Sequence, residues 1–585
     1  MPIQYEPPVR SMRFILDHVV DFDAEVAALP GCEDVSAEFG EELLTMAGRF
    51  CAEQLLPLNQ SGDRQGATLA DGKVTTADGF ADAYHAFVEG GWGALSGEPD
   101  YEGQGLPRAF QIMLDEMVSS ANMSFGLFPG LTRGASEALA EHGSEELKAK
   151  YLPKLTTGEW CGAMALTEAH AGTDLGLLRT KAVPVGDGSY KVTGTKIFIS
   201  SGDQDFGNNI IHLVLARLPD AAPGVKGISL FLVPKLMTDD DGNVTGENGV
   251  SAAALEHKMG IHAQPTCVMN YDDATGWLIG EPGRGLNAMF TMMNAERLYV
   301  GIQGLGVAEI AVQNAVAYAH ERLQGRGPDG TGPAPIINHA DVRRMILMGR
   351  SFVEPARALA AWTAIRMDVA ARHPDEATRA AANADVALLT PVVKAAFTDM
   401  GFETAVNAQQ VFGGHGYIWE AGMEQFVRDA RITQIYEGTN GVQAMDLVTR
   451  KVTMADGAPL ASYLDRIEAD LGEGASELEA SLLPAVRAAL ASLRKASAAV
   501  QADTSIDAMG SAAVNYLRLF AIASMGWMWV RMAAASLEHG DETTKTRNLA
   551  LANFYAAHVL PQAGALEAAI AAGPDAVMAL PADLF

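Results

Sequence analysis

From about Met12 to Leu155, apolar residues recur at three- and four-residue spacing, as in Phe110-Gln111-Ile112-Met113-Leu114-Asp115-Glu116-Met117-Val118. That spacing predicts helices, interrupted at Gly90-Gly91-Trp92-Gly93 and at Tyr101-Glu102-Gly103-Gln104-Gly105-Leu106-Pro107. The pattern changes between Cys161 and Leu278. There, short runs such as Ile210–Arg217 and Ile228–Val233 alternate with Gly, Asn and Asp turns, which predicts β structure. Helical spacing returns at Gly285 and continues to about Val448. A further Ala-rich block, from Asp456 to Phe585, carries helical patterns at Ala485–Asp503 and Ala512–Ala523. The expected divisions are an extension over 1–40, a helical domain over 41–160, a β domain over 161–280, a helical bundle over 281–450 and an additional helical domain over 456–585.

The length of 585 residues exceeds what one core can organise, in keeping with several domains. With 48% hydrophobic and 19% charged residues, the chain has the composition of a globular protein with a large interior. Its formal net charge of -30 repels nucleic-acid backbones and anionic lipid heads, so neither nucleic acid nor membrane is an expected partner. Any anionic ligand must be held by local positive charge. The cysteines Cys32, Cys51, Cys161 and Cys267 lie far apart and suggest free thiols rather than a disulfide framework. The segment Met1–Pro8 lacks a basic region followed by an apolar run, and Leu519–Val530 is shorter than a membrane span, so a soluble cytoplasmic protein is expected.

One heptapeptide stands apart. Gln434-Ile435-Tyr436-Glu437-Gly438-Thr439-Asn440 sets a carboxylate in an apolar, glycine-containing run just after Arg428-Asp429-Ala430-Arg431. Desolvation raises the proton affinity of such a Glu, as a base working near neutral pH requires. Upstream, Gln410-Val411-Phe412-Gly413-Gly414-His415-Gly416-Tyr417 has glycines that let the backbone approach a flat or anionic group. Taken alone, Glu437-Gly438 also reads as a helix end beside its glycine cap.

Together these segments resemble the acyl-CoA dehydrogenase family of flavoproteins, whose signature runs Gln-x-x-Gly-Gly-x-Gly-Tyr and then Arg-Asp-Ala-(Arg/Lys)-Ile-x-x-Ile-Tyr-Glu-Gly-Thr. Two further blocks are similar and stand in the family's order. Ala165-Leu166-Thr167-Glu168-Ala169-His170-Ala171-Gly172-Thr173-Asp174 occupies the place of the family's Thr-Glu-Pro-x-x-Gly-Ser-Asp. Gly194-Thr195-Lys196-Ile197-Phe198-Ile199-Ser200-Ser201-Gly202 matches Gly-x-Lys-x-(Trp/Phe)-Ile-(Thr/Ser)-(Asn/Ser)-Gly. The resemblance covers about residues 40 to 450. It implies an α+β multidomain fold: an N-terminal helical domain, a middle β-barrel and a C-terminal four-helix bundle, here with an extra C-terminal helical domain.

The resemblance also implies FAD as cofactor, since no side chain can accept a hydride. Glu437 is then the base that removes the α-proton of an acyl-CoA thioester, whose oxygen is polarised by the Glu437 amide, with Gly438 beside the substrate. Leu166 and Thr167 are expected at the flavin's pyrimidine edge, Phe198 against its ring, and Ser200 near N5, with Thr173 in the same cofactor-binding block. Arg322, in His320-Glu321-Arg322-Leu323-Gln324-Gly325-Arg326, is expected on the FAD pyrophosphate across a subunit interface, with Gln410, Gly413 and Gly414. The Gly325–Pro335 insertion departs from the family pattern there. Thr439 is expected near the adenosine half and Arg297 near CoA, although a helix-surface role also suits Arg297. A homodimer or homotetramer passing electrons to an electron-transfer flavoprotein follows from the same resemblance.

The Tyr5-Glu6-Pro7-Pro8 start, the length and the C-terminal block are similar to a marine-bacterial branch of the family that oxidises 3-(methylthio)propionyl-CoA to methylthioacryloyl-CoA in dimethylsulfoniopropionate breakdown. Asn122–Phe128 is then expected along the acyl pocket. Dehydrogenation or oxidation of short- to long-chain fatty acyl-CoA is the alternative. A DNA-associated flavoprotein of the same fold is disfavoured by the acidic balance. Thr238–Asn248 fails the calcium-loop pattern and reads as a hairpin, while Gly301-Ile302-Gln303-Gly304-Leu305-Gly306 lies in a helical pattern and reads as close packing rather than a dinucleotide fingerprint. The histidines form no His-x-x-x-His pair, and no metal is expected.

Overall fold

In the computed structural model, which describes residues 2–239, 241–472 and 481–585, the helical, β, helical order of the sequence is realised. Asp240 of the acidic hairpin and residues 473–480 of the C-terminal block lie outside the described residues. The chain divides into two compact units. One contains Met1–Arg49, Pro107–Ser120 and Val300–Phe585; the other contains Phe50–Leu106 and Ala121–Tyr299.

The second unit is built on a seven-stranded sheet. Strand Thr266–Ile279 pairs with Val250–Leu255, Ser189–Ser200 and Ile228–Pro234. Ile228–Pro234 also pairs with Ile210–Arg217, and Lys181–Pro184 links Ile210–Arg217 to Ser189–Ser200, so the sheet closes on itself as a barrel. The two runs that are apolar at nearly every position, Ile210–Arg217 and Ile228–Pro234, are buried almost throughout, as strands covered on both faces must be. His212, inside the first run, meets the Tyr271 hydroxyl at 2.8 Å. Burial, then the nearby Lys235 charge, pushes its imidazole down to about 3, so it is neutral and structural. Trp160, Tyr151, Leu152 and Leu213 share one core beside the barrel. The acidic Thr238–Asn248 stretch is indeed a hairpin, Leu236–Thr238 against Val244–Glu247.

In the first unit, long helices pack through glycine. A Cβ on Gly304 would stand 2.6 Å from the Phe397 carbonyl oxygen, and one on Gly401 would stand 2.3 Å from that of Gly304. The glycines of Gly301–Gly306 thus serve close helix packing, as their helical context predicts. Arg357, fully buried, ties Glu116, Glu309 and Glu354 together at 2.6, 2.6 and 3.2 Å.

Two expectations need correcting. The pattern at Ala512–Ala523 is only part, mostly in the first half, of a helix spanning Ile506–His539. Buried on most sides, that helix has no amphipathic stripe to mark its ends. The apolar stretches are also longer than Leu519–Val530 suggested. By length and composition, Gly285–Glu321, Glu376–Tyr417 and Ile506–His539 could each cross a membrane, but 83%, 67% and 89% of their apolar windows are buried inside the protein. Their apolarity serves the interior.

Candidate active site

Glu437 is delivered by a short loop between two helices of the first unit. Helix Met423–Thr433 ends, and helix Asn440–Asp446 begins with Thr439 as its N-cap, whose hydroxyl accepts from the Val442 amide at 3.3 Å. The reversal between them needs left-handed backbone: Glu437 has φ +56° and Gly438 φ +82°. Glycine adopts this freely, but a non-glycine residue held there costs about 1–3 kcal/mol, so the surroundings must impose it.

The surroundings do so from several directions. The fully buried Gln443 donates to the carbonyls of Glu437 and Gly438 at 3.2 and 3.3 Å. The Asn440 amide returns to the Gln434 carbonyl at 3.1 Å, and the Tyr436 hydroxyl donates to Gln303. The Asn440 side chain is held on helix Glu376–Phe412 by Lys394 at 2.9 Å and Asp399 at 2.7 Å. Glu437 itself is half-buried.

On the same unit, the end of helix Gly285–Glu321 meets the glycine-rich segment. Tyr318 stacks on Phe412 with ring centroids 4.1 Å apart, and its hydroxyl lies 3.2 Å from His415 Nδ1. These contacts bring the Arg322 end of one helix to Gly413 and Gly414 at the end of another. Arg322, Gln410, Gly413 and Gly414 are all exposed, Gly413 has φ +57°, and a Cβ on either glycine would touch nothing within 4 Å. The Gly325–Pro335 insertion folds back on itself, with Leu323 bridging Pro335 and the Gln324 amide reaching Ala334 at 2.9 Å.

In the second unit, the other two motif blocks lie side by side on the barrel. The Ile197 amide donates to the Thr167 carbonyl at 2.9 Å. Lys196, fully buried, donates to the Leu166 carbonyl and to Glu168 Oε1, both at 2.9 Å. Glu168 also accepts from the amides of Arg179 and Thr180 and from the Thr180 hydroxyl at 2.6 Å. Burial alone would raise Glu168, but the Lys196 charge and these donors bring it down to about 2. Burial lowers Lys196 to about 8, so both are charged at neutral pH.

The ladder slips between Cys267 and Met269 opposite this strand, and Phe198 takes φ +61°. The irregularity turns its ring outward, 59% exposed, while Ile199 stays in the core and Ser200 is half-buried. Leu166 is buried, Thr167 half-buried and Thr173 exposed. Arg297 is 9% exposed, with Asn294 at 3.2 Å and the Phe290 ring 6.0 Å away, and is therefore no surface arginine. Asn122–Phe128 departs from expectation. Asn122 leaves helical geometry (φ -160°, ψ 92°), and its side-chain Oδ1 accepts from the Phe125 amide at 3.0 Å, capping the next turn. Phe125 and Phe128 are fully buried in an aromatic cluster with Tyr84, so these two rings belong to the core.

These residues fit a flavin dinucleotide. An outward aromatic face on the barrel suits a flat ring, and exposed glycine backbone beside Gln410 and Arg322 suits phosphate oxygens. Comparison with known proteins agrees with this chemistry. Acyl-CoA dehydrogenase N-terminal, middle and C-terminal domain families match residues 38–159, 163–274 and 283–452, and the acetyl-CoA dehydrogenase C-terminal-like family matches 463–581. The 3-methylmercaptopropionyl-CoA dehydrogenase of Ruegeria pomeroyi is 42% identical over 98% of this chain and 99% of its own length. The chain belongs to the acyl-CoA dehydrogenase family. It is accordingly an FAD-dependent oxidoreductase that dehydrogenates acyl-CoA.

Among other members, the broad-specificity linear acyl-CoA dehydrogenase FadE5 of Mycobacterium tuberculosis is 32% identical over 95% of this chain and 96% of its own length. The Bacillus anthracis acyl-CoA dehydrogenase solved with FAD shares the fold, with TM-score 0.75 and 22% identity over 95% of this chain and 91% of that one.

Lys394, Asp399, Gln443 and the Glu168–Lys196 pair were not singled out from the sequence. Lys394 did carry a signal, as an isolated charge inside Leu388–Phe397, where only a paired lysine can be buried. Asp399 and Gln443 carried none, since a polar residue on a helix is ordinarily solvated.

Proposed function

We propose that Glu437 is the base of an α,β-dehydrogenation and that 3-(methylthio)propionyl-CoA is the preferred substrate. The observation that carries the first part is the left-handed Glu437–Gly438 turn, held by Gln443 and Asn440. A half-buried carboxylate fixed by its backbone suits proton transfer, which requires the base within hydrogen-bond reach of the proton. Glu437 takes the α-proton, and its amide is the donor offered to the thioester oxygen, with Gly438 keeping side-chain bulk away from the substrate. Bound FAD supplies the two-electron acceptor for the hydride that leaves Cβ. The product would gain a Cα–Cβ double bond, the α-proton going to Glu437 and the β-hydride, with its two electrons, being what FAD would accept.

Leu166, Thr167, Thr173, Phe198 and Ser200 are the proposed ring-side contacts. Arg322, Gln410, Gly413 and Gly414 are the proposed pyrophosphate contacts, offered to the FAD of a second copy in a homodimer or homotetramer. Thr439 is proposed for the adenosine half, in addition to its capping role, and Arg297 for CoA. An electron-transfer flavoprotein is the proposed oxidant of the reduced enzyme.

The thioether substrate is supported by the end-to-end likeness to the Ruegeria enzyme. The FadE5 likeness favours a second reading, linear fatty acyl-CoA. Measuring kcat/KM across butyryl-, hexanoyl-, octanoyl- and 3-(methylthio)propionyl-CoA separates them. The proposal expects the thioether to be preferred by at least about 10-fold, since one well-fitted group in an apolar pocket is worth about 10- to 200-fold. Preference for octanoyl-CoA would reject it.

A further inference from the structure

The loop that carries Glu437 opens at Gln434 and closes at Asn440, and one carboxylate oxygen holds both ends. Asp399 Oδ1 accepts from Gln434 Nε2 at 2.6 Å and from Asn440 Nδ2 at 2.7 Å. The other side of Asn440 is fixed too: its Oδ1 accepts from Lys394 Nζ at 2.9 Å, and its Nδ2 also reaches the Ala395 carbonyl at 3.1 Å. Helix Glu376–Phe412 therefore supplies a rigid anchor, and the loop spans it like a staple. Hydrogen bonds to a charged acceptor are roughly twice as strong as neutral ones, which suits an anchor that must hold a strained turn.

The anchor borders a cavity of about 350 Å3. Asp399, Glu403 and Asn440 line it on one side, and Asn515, Arg518 and Gln562 from the C-terminal block line it on the other. Arg518 donates to Glu403 at 3.1 Å across this wall. Asn440 has further partners on this helix, Thr398 Oγ1 at 2.9 Å among them, whereas Asp399 is the residue that holds Gln434 and Asn440 at once.

We propose that Asp399 is a positioning residue for Glu437: by fixing Gln434 and Asn440 together, it sets where the base meets the α-hydrogen. The inference rests on Glu437 being the base. Asp399 acts here through Gln434 and Asn440, as the acceptor of both, and transfers no proton itself. Its effect belongs in the rate of α-proton abstraction and not in acyl-CoA affinity. Misplacing a catalytic group by about 1 Å can cost on the order of 100-fold in rate.

The test uses the FAD-loaded full chain and an acyl-CoA in which sulfur replaces Cβ. Such a ligand keeps α-hydrogens but has no β-hydride to give, so exchange of its α-hydrogens with deuterated solvent, read by mass spectrometry, reports the base alone. For Asp399→Ala, exchange at saturating ligand is expected to fall about 10- to 100-fold while the ligand's Kd stays within about threefold. Gln434→Ala, which removes one of the two donors, is expected to lose roughly 10-fold, the value of one charge-assisted hydrogen bond. A merely structural role would weaken Kd and flavin content along with exchange. Unchanged exchange in Asp399→Ala, with Glu437→Gln inactive, would overturn the positioning role and leave the base intact. Undiminished exchange in Glu437→Gln would instead overturn the base. If Asp399→Ala does not retain flavin, Gln434→Ala decides: normal exchange in it overturns the proposal.

Discussion

Glu437 shows how strongly one residue's backbone can be conditioned by its neighbours. Its φ of +56° is tolerated because Gln443 and Asn440 bind the turn from both sides. The same logic governs the buried pair on the barrel. Glu168, pulled to about 2 from an ordinary 4.5, contributes stability that is present above about pH 4.5 and is lost as pH falls through about 2. Glu168→Gln is accordingly expected to flatten the acid limb of the stability curve between those values. Lys196→Met, which strands the Glu168 charge, is expected to cost about 3–5 kcal/mol, read by urea unfolding at pH 7. Residues of this kind were legible only where chemistry fixes their type. Glu437, Gly413 and Phe198 stand in motifs whose chemistry admits few substitutes, whereas Asp399 lies 35 positions from Gln434, and nothing in the chain's local pattern announces the contact.

Elements were legible where one face differs from the other. The barrel strands alternate or are wholly apolar, and the break at Gly285 coincides with the start of a helix. The exceptions share a cause, the absence of contrast between faces. Helix Ile506–His539 is buried on most sides and so was underestimated. The break at Asn122 is a single residue of non-helical backbone that leaves the surrounding spacing intact. Close helix approach is the opposite case, because small residues advertise it. Gly401→Ala would place a Cβ 2.3 Å from the Gly304 carbonyl, a backbone atom that cannot rotate away. The substitution gains up to about 1 kcal/mol of helix propensity but is expected to be destabilising by about 1–3 kcal/mol overall, measured as a drop in Tm.

At the scale of the whole molecule, the C-terminal block is structural to its unit. Trp529 donates to the Ser351 carbonyl at 2.9 Å, and Trp527 packs against Trp362 with centroids 5.3 Å apart. Truncation after Thr453 would uncover these apolar surfaces and is expected to give aggregated protein, checked by size-exclusion chromatography; a monodisperse, flavin-binding product would show the block to be dispensable. The net charge of -30 means that an anionic ligand needs local positive charge, the role proposed for Arg322. The account stands or falls with Glu437 as the base, and the most direct measurement is anaerobic mixing of the flavin-loaded enzyme with 3-(methylthio)propionyl-CoA while flavin absorbance is followed. The wild type is expected to bleach rapidly. Glu437→Gln is expected to bind the same flavin yet bleach at least about 100-fold more slowly. Bleaching at the wild-type rate in that variant would contradict the account.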